Sequence, residues 1–331
     1  MAIPVSILNL VPRRDKGTAA AAIQDMLRLA QAAEQSGFVR YWIAEHHNMP
    51  MVVSSATQVL IGHTLAHTHK IRVGSGGVML PNHSPLMVAE QYGTLATIYP
   101  HRLDLGLGRA PGTDRVTAAA LRRQLNDVSL QFADDVVQLQ RYLGDENCQG
   151  IVKAYPGIGT HIPLYILGSS TDSAYLAAKM GLPYVFAAHF APRFLEEAAA
   201  IYRERFQPSA QLSKPFFMLC LNVVAAATDE EARYLQTTQF QSVLGLVRNS
   251  RAPLQPPVPH MHGLWTAEEE TYVRNFTACT LLGAPDTIRQ QLEEYRLRLQ
   301  PDEVMAVSYI YDMDKLLESY YIFKSVADIV G

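Results

Sequence analysis

Short apolar runs alternate with segments whose apolar residues recur at three-and-four spacing along almost the whole chain. This is the pattern of parallel βα units, not of a sandwich or a helical bundle. Eight runs read as strands: 5–11, 41–45, 71–78, 103–107, 163–167, 184–188, 217–224 and 303–310. The predicted helices are 19–35, 55–67, 85–98, 115–143, 172–180, 192–206, 229–247, 285–299 and 314–330. Runs such as Phe217-Met218-Leu219-Cys220-Leu221 are apolar at consecutive positions, as expected where both faces of a sheet are covered. Boundary residues agree with the periodicity: Gly37 and Gly181 follow helices, and Ser84-Pro85 sets a capping residue before proline at a first helical position. Eight βα units predict an α/β fold of the closed (β/α)8 kind, a TIM barrel.

One stretch interrupts the rhythm. Residues 248–270 carry Pro253, Pro256, Pro257 and Pro259 with His260, His262 and Trp265, too much proline for a helix. The expectation is one barrel domain over residues 1–331 with this Pro-rich insertion before the last strand, serving either as a lid that excludes water or as a decoration. No internal repeat or linker interrupts the chain, and 145–159 reads as a loop with Tyr155-Pro156-Gly157 turn chemistry.

Composition narrows the partners. Lys and Arg total 28 against 31 Asp and Glu, so no global field favours nucleic acid or an anionic membrane. Cys148, Cys220 and Cys279 are few and widely separated, which argues for a reducing compartment rather than a disulfide framework. Met1-Ala2-Ile3-Pro4 leads straight into a strand without a basic region, and the longest apolar run falls short of the roughly 20 residues that span a bilayer. The expected setting is the cytoplasm and the expected ligand a small molecule.

Candidate chemistry sits where four strands end. Tyr41-Trp42-Ile43-Ala44 leads into Glu45-His46-His47, and in a (β/α)8 barrel the catalytic groups lie at such carboxyl ends. Along an extended chain Glu45 and His47 share one face and His46 takes the other, unless the strand has already ended. A metal reading competes, with His83 and His101 also near strand ends. The sequence, however, lacks H-E-x-x-H and H-x-H, and adjacent imidazoles on an extended chain diverge.

Val73-Gly74-Ser75-Gly76-Gly77-Val78 places three glycines in a strand, which signals either a bulge or the close approach of a flat ligand. Leu105-Gly106-Leu107-Gly108-Arg109-Ala110-Pro111-Gly112 spaces its glycines wrongly for a dinucleotide fingerprint. Arg109 presents a fork for a phosphate, or else pairs with Asp104 or Asp114. Leu167-Gly168-Ser169-Ser170-Thr171-Asp172-Ser173 runs from a strand end into a helix start. The segment serves either as an anion site with hydroxyl donors at Ser170 and Ser173 or as ordinary capping by Ser170, Thr171 or Asp172.

In this order the motifs resemble the bacterial luciferase-like flavin monooxygenase family over nearly the whole chain. Ala44-Glu45-His46-His47, Val73 to Pro81 and Arg102 to Arg109 are similar to that family's motifs on strands two, three and four, and Gly76 to Pro85 is similar to a bacterial branch distinct from the light-emitting luciferases. The resemblance implies that His46 is the catalytic imidazole and that Gly76-Gly77 forms a cis peptide behind the flavin ring. It further implies that Arg109, Ser170 and Ser173 hold the FMN phosphate within the loop Gly168-Ser169-Ser170, and that Leu167 and Pro111 border the ring. Gly108 stands where the luciferases carry a reactive cysteine and Ser169 where the family has an acidic residue, so thiol sensitivity does not carry over.

The activity implied is an FMN-dependent monooxygenase acting with O2 on a small organic substrate, its reduced flavin supplied by a separate reductase because no nicotinamide fingerprint is present. Alternatives within the same fold are a deazaflavin-dependent hydride transfer and a catalytically silent flavin-binding protein. The resemblance also implies a homodimer packed through helices near the early strands.

Overall fold

The structure, a computed structural model, describes residues 2–110, 112–121 and 131–330, without the side chain of Arg115. Among the described residues nine strands form one parallel sheet: β1 (Val5–Asn9), β2 (Arg40–Ile43), β3 (Arg72–Met79), β4 (Leu103–Gly108), β5 (Leu164–Gly168), β6 (Tyr184–Phe186), β7 (Phe217–Ala225), β8 (Thr280–Gly283) and β9 (Glu303–Val307). Their order is β6-β5-β4-β3-β2-β1-β9-β7-β8, and pairing of β6 with β7 closes eight of them into a barrel. The eight barrel strands, β1 to β7 and β9, are the eight expected from the apolar runs.

β8 lies outside that set. The first residues of β7 pair with β6 through Tyr184↔Phe217 and Phe186↔Leu219, and its last four pair with β8 from Asn222↔Thr280 to Ala225↔Gly283. β7 outlasts β6, and β8 fills the edge that β6 vacates. Four residues, Thr280 to Gly283, followed at once by Ala284-Pro285, are too short and too close to turn chemistry to stand out as a strand. The connection 248–270 also departs from expectation at its end. A capping box between Thr266 and Glu269 starts a helix at Ala267–Phe276, so the last residues of the Pro-rich stretch are helical.

Two apolar layers result. The larger one lies between the outer helices and the sheet, with Ile7, Tyr41, Ile43, Leu105 and Ile166 facing outward. The smaller one fills the barrel with Leu8, Trp42, Tyr165, Val185, Met218 and Met305. Below it, at the amino ends of the strands, sits a buried charge network. The Arg40 guanidinium donates to both Glu303 oxygens at 2.8 Å, to Asp104 Oδ2 at 2.9 Å and to the Tyr165 hydroxyl at 2.7 Å. Arg72 and the Trp42 indole N–H also donate to Asp104, and the Ser6 hydroxyl to Glu303. The interior therefore runs from a charged base through an apolar middle to the open carboxyl end, where the functional candidates lie.

Candidate active site

All eight barrel strands, or the turns just after them, contribute to one cavity of about 460 Å³ at the carboxyl end. The four decorated strand ends of the sequence meet in it: His46 after β2, Gly76 and Gly77 in β3, Gly108 and Arg109 at the end of β4, and Leu167 to Ser170 at the end of β5. The volume is that of a small-molecule or cofactor site.

β2 ends at Ile43, which frees Glu45, His46 and His47 from strand alternation. Glu45 is 2% exposed and turns away from the cavity. Its Oε1 accepts from His47 Nε2 at 2.8 Å and His83 Nε2 at 2.7 Å, and its Oε2 accepts from the Met79 N–H at 3.1 Å. Burial alone would raise the Glu45 pKa. The bonds from His47 and His83, the His83 charge and the Met79 N–H outweigh burial and hold it at about 2. The three side chains thus form the close cluster a metal reading would look for. Here both imidazoles spend their Nε2 on the same carboxylate, which ties the β2 and β3 loops together.

His46 points the other way, into the cavity. Its Nδ1 lies 3.3 Å from the Gly112 carbonyl, which makes Nδ1 the donor and leaves Nε2 as the unprotonated nitrogen. Nε2 has no protein partner among the described residues. Burial lowers the His46 pKa from 6.5, more than the Gly112 carbonyl and Glu45 raise it, so the ring is neutral and basic at neutral pH.

The Gly76–Gly77 peptide bond is cis, the geometry that the resemblance implies. The pairing of β3 with β4 shifts register between Ser75 and Val78, so a bulge and a bare cavity wall coincide in one place. A Cβ on Gly76 would lie 2.5 Å from Leu8 Cδ1, and one on Gly77 2.8 Å from the Gly106 carbonyl oxygen. No larger residue fits either position without displacing its neighbours.

On the β5 side the helix Thr171–Met180 opens toward the cavity from its N-cap, Ser170. The Ser170 side chain makes no capping bond, so capping does not account for it. Ser173 donates its hydroxyl to the Ser170 carbonyl at 2.6 Å and contacts the Tyr184 hydroxyl at 2.9 Å, which fastens the turn from inside. Gly168 gives Ser173 its room, because a Cβ there would lie 2.0 Å from Ser173 Oγ. Arg109 is half exposed and reaches neither Asp104 nor Asp114; its nearest carboxylate is Asp172, at 3.6 Å. Pro111 lies outside the described residues, whereas Ala110 and Gly112 on either side line the cavity.

Sequence reasoning passed over His189, which follows β6 as His46 follows β2 and lines the same cavity. A lone imidazole after a short strand was the available signal. His189 is 8% exposed, and burial, with a smaller push from His46, takes its pKa down to about 3. The unfolded chain therefore takes up a proton near pH 6.5 that the folded chain refuses. Stability present above pH 6.5 is lost as the pH falls toward 3, by about 1.4 kcal/mol per pH unit. Urea unfolding of the His189→Phe variant across this range is expected to show a slope shallower by one proton.

Comparison with known proteins covers the same ground. Residues 3–299 match the family model described as luciferase-like monooxygenase. A luciferase-like monooxygenase of Escherichia coli K12 is 42% identical over 98% of this chain and 97% of its own. The N-acetyl-S-alkylcysteine monooxygenase of Bacillus subtilis is 36% identical over 70% of each chain. Among solved structures, apo-MsnO8 superposes with a TM-score of 0.92 at 32% identity over 98% of both chains. At the level of the fold alone, the chain is also similar to the oxygenating constituent of 3,6-diketocamphane monooxygenase in complex with FMN (TM-score 0.76, 16% identity, 100% and 99% covered). A comparable likeness is to an F420-dependent secondary alcohol dehydrogenase (TM-score 0.70, 15% identity, 99% of both covered).

Proposed function

The chain belongs to the luciferase-like monooxygenase family of enzymes, and on that premise we propose that it is an FMN-dependent monooxygenase using reduced flavin and O2 on a small organic substrate. The observation that carries this reading is the meeting of three features in one cavity: a glycine wall, an imidazole with a free nitrogen, and a helix start beside an arginine. A planar ring suits the bare Gly76–Gly77 wall beside Leu167 and Ala110. A phosphate suits Arg109 and the backbone N–H groups at Ser169 to Ser173, where the helix dipole adds positive potential. Gly168 and Ser173 fix the shape of that turn.

When bound, the flavin supplies the reaction with O2 and the transfer of one oxygen atom to the substrate. The chain's own part is to orient, to exclude water and to manage a proton. His46 Nε2 takes or shares a proton at the reacting centre, with Nδ1 anchored on Gly112. Ala252 and Leu254 of the Pro-rich insertion line the cavity, and Leu254 is bonded to Arg13 and Asp15, which supports a lid role for 248–270 within a single barrel domain. Among the described residues no helix is long and apolar enough to cross a membrane, and a cytoplasmic setting with a separate flavin reductase remains part of the proposal. A homodimer through the early helices is supported by exposed Val59, Met87 and Ile98, and sizing in solution tests it.

Replacing Arg109 with alanine is expected to weaken FMN binding by about ten- to a hundredfold, the value of one charged hydrogen-bonding partner, and to flatten its salt dependence. Parallel titrations with FMN and with a deazaflavin test the choice of coenzyme. Saturable binding of FMN is expected, and binding of the deazaflavin alone would move the assignment to hydride transfer.

A further inference from the structure

The cavity wall built by the second half of the barrel differs from the glycine wall. Phe190 after β6, Val243 and Leu246 on the helix Asp229–Val247, Leu254 of the insertion and Phe276 make it apolar. Among the polar side chains that interrupt it are Ser242, whose hydroxyl donates to the Thr238 carbonyl, and the buried His189 and Gln239, at 8% and 2% exposed. Among the described residues, His189 Nδ1 and Gln239 Oε1 are both buried without a hydrogen-bond partner. Buried polar groups are seldom left unpaired, and two orphans on one cavity wall mark a place where a turn of the amide and the choice of imidazole tautomer let a bound acceptor complete them.

Charge sets a second limit. Among the described residues the cavity lining contains no carboxylate and no lysine, and Arg109 lies beside Asp172 at the helix start. Burial keeps the His189 ring neutral. On this wall an anionic or cationic substrate would give up its hydration with no opposite charge beside it, since Arg109 lies at the helix start and Arg251, whose charge lowers the His46 pKa, on the insertion.

We propose that this wall is the substrate subsite and that it takes an uncharged, mainly apolar molecule with one carbonyl oxygen, held by N–H donors of Gln239 and His189. The assignment rests on the flavin reading, which reserves the Gly76–Gly77 and Arg109 side for the cofactor. The amide of Gln239 can turn its NH2 toward the ligand, and the neutral His189 ring can carry its proton on either nitrogen. The apolar side chains around them enclose the body of the substrate.

Calorimetric titration of the FMN-loaded protein and of the flavin-free protein with 2-octanone and with octanoate tests this. The ketone is expected to bind at least about ten times more tightly than the carboxylate. Gln239→Leu is expected to lose about tenfold in ketone affinity with FMN affinity unchanged, and Gln239→Arg to reverse the preference toward octanoate. Equal or tighter binding of octanoate by the wild type would overturn the proposal. So would ketone affinity that survives both Gln239→Leu and His189→Phe, or failure of the FMN-loaded protein to bind either probe. Ketone preference in a protein that does not bind FMN would overturn the flavin reading and leave the subsite standing.

Discussion

Replacing His46 with alanine is expected to lower turnover by about a hundred- to ten-thousandfold, the usual range for a positioned acid or base, while FMN affinity stays within about twofold of the wild type. The two effects separate because, among the described residues, His46 faces the cavity with Nε2 free and is held only by the Gly112 carbonyl, so its loss leaves the glycine wall and the helix start in place. Burial lowers the His46 pKa below 6.5, so the acid limb of the wild-type rate profile is expected below pH 6.5 and should vanish from the residual activity of the variant. Steady-state kinetics across pH, with flavin binding measured in parallel, decides the matter. A His46→Ala enzyme as active as the wild type would remove the imidazole from the mechanism.

The largest effect on stability is expected at the opposite end of the barrel. Arg40→Leu strands one carboxylate, Glu303, at 1% exposure, and takes one of two guanidinium partners from Asp104, which keeps Arg72. Removing one partner of a buried ion pair costs about 3–5 kcal/mol, and for a chain of this size that lowers the melting temperature by on the order of 10 °C. Adding Glu303→Gln to Arg40→Leu should recover part of the loss, because the uncompensated charge goes with it. The cost should also reach the site. Trp42 donates to Asp104, and its side chain lies 3.2 Å from where a Gly76 Cβ would sit, so the base of the barrel supports the wall of the cavity. Thermal unfolding of the single and double variants tests the network; an Arg40→Leu protein as stable as the wild type would show that these charges are not coupled.

Much of this architecture is legible in the sequence, because a parallel barrel writes its strands as consecutive apolar runs. Tyr41-Trp42-Ile43 and Phe217 to Leu221 announce burial on both faces, and an abrupt change to Glu, His, Gly or Arg marks the end that opens to solvent. That signal marks His46, Gly76, Gly77, Arg109 and the Ser170 turn, and one cavity brings them together. β8 and the helix Ala267–Phe276 were not found. They owe their structure to the free edge of β7 and to a capping box hidden behind four prolines, neither of which leaves an apolar period.

Side chains that act across the fold are equally silent. The pairing of His83 with Glu45 spans 38 positions and that of Arg40 with Glu303 spans 263, distances at which spacing carries no information. Gln239 sits in the polar run Gln236-Thr237-Thr238-Gln239, which reads as a solvated helix face, yet tertiary packing buries all four residues. His189 is different in kind, since its place after an apolar strand is the same sign that pointed to His46.

The account turns on where the flavin sits, and a crystal structure of the protein grown with FMN measures that directly. The phosphate is predicted beside the Arg109 guanidinium and the first turn of the helix Thr171–Met180, with the ring against Gly76–Gly77 and His46 facing it. FMN found instead in the separate recess of about 690 Å³ beneath the insertion, among His260, His262, Trp265 and Arg274, would contradict the account.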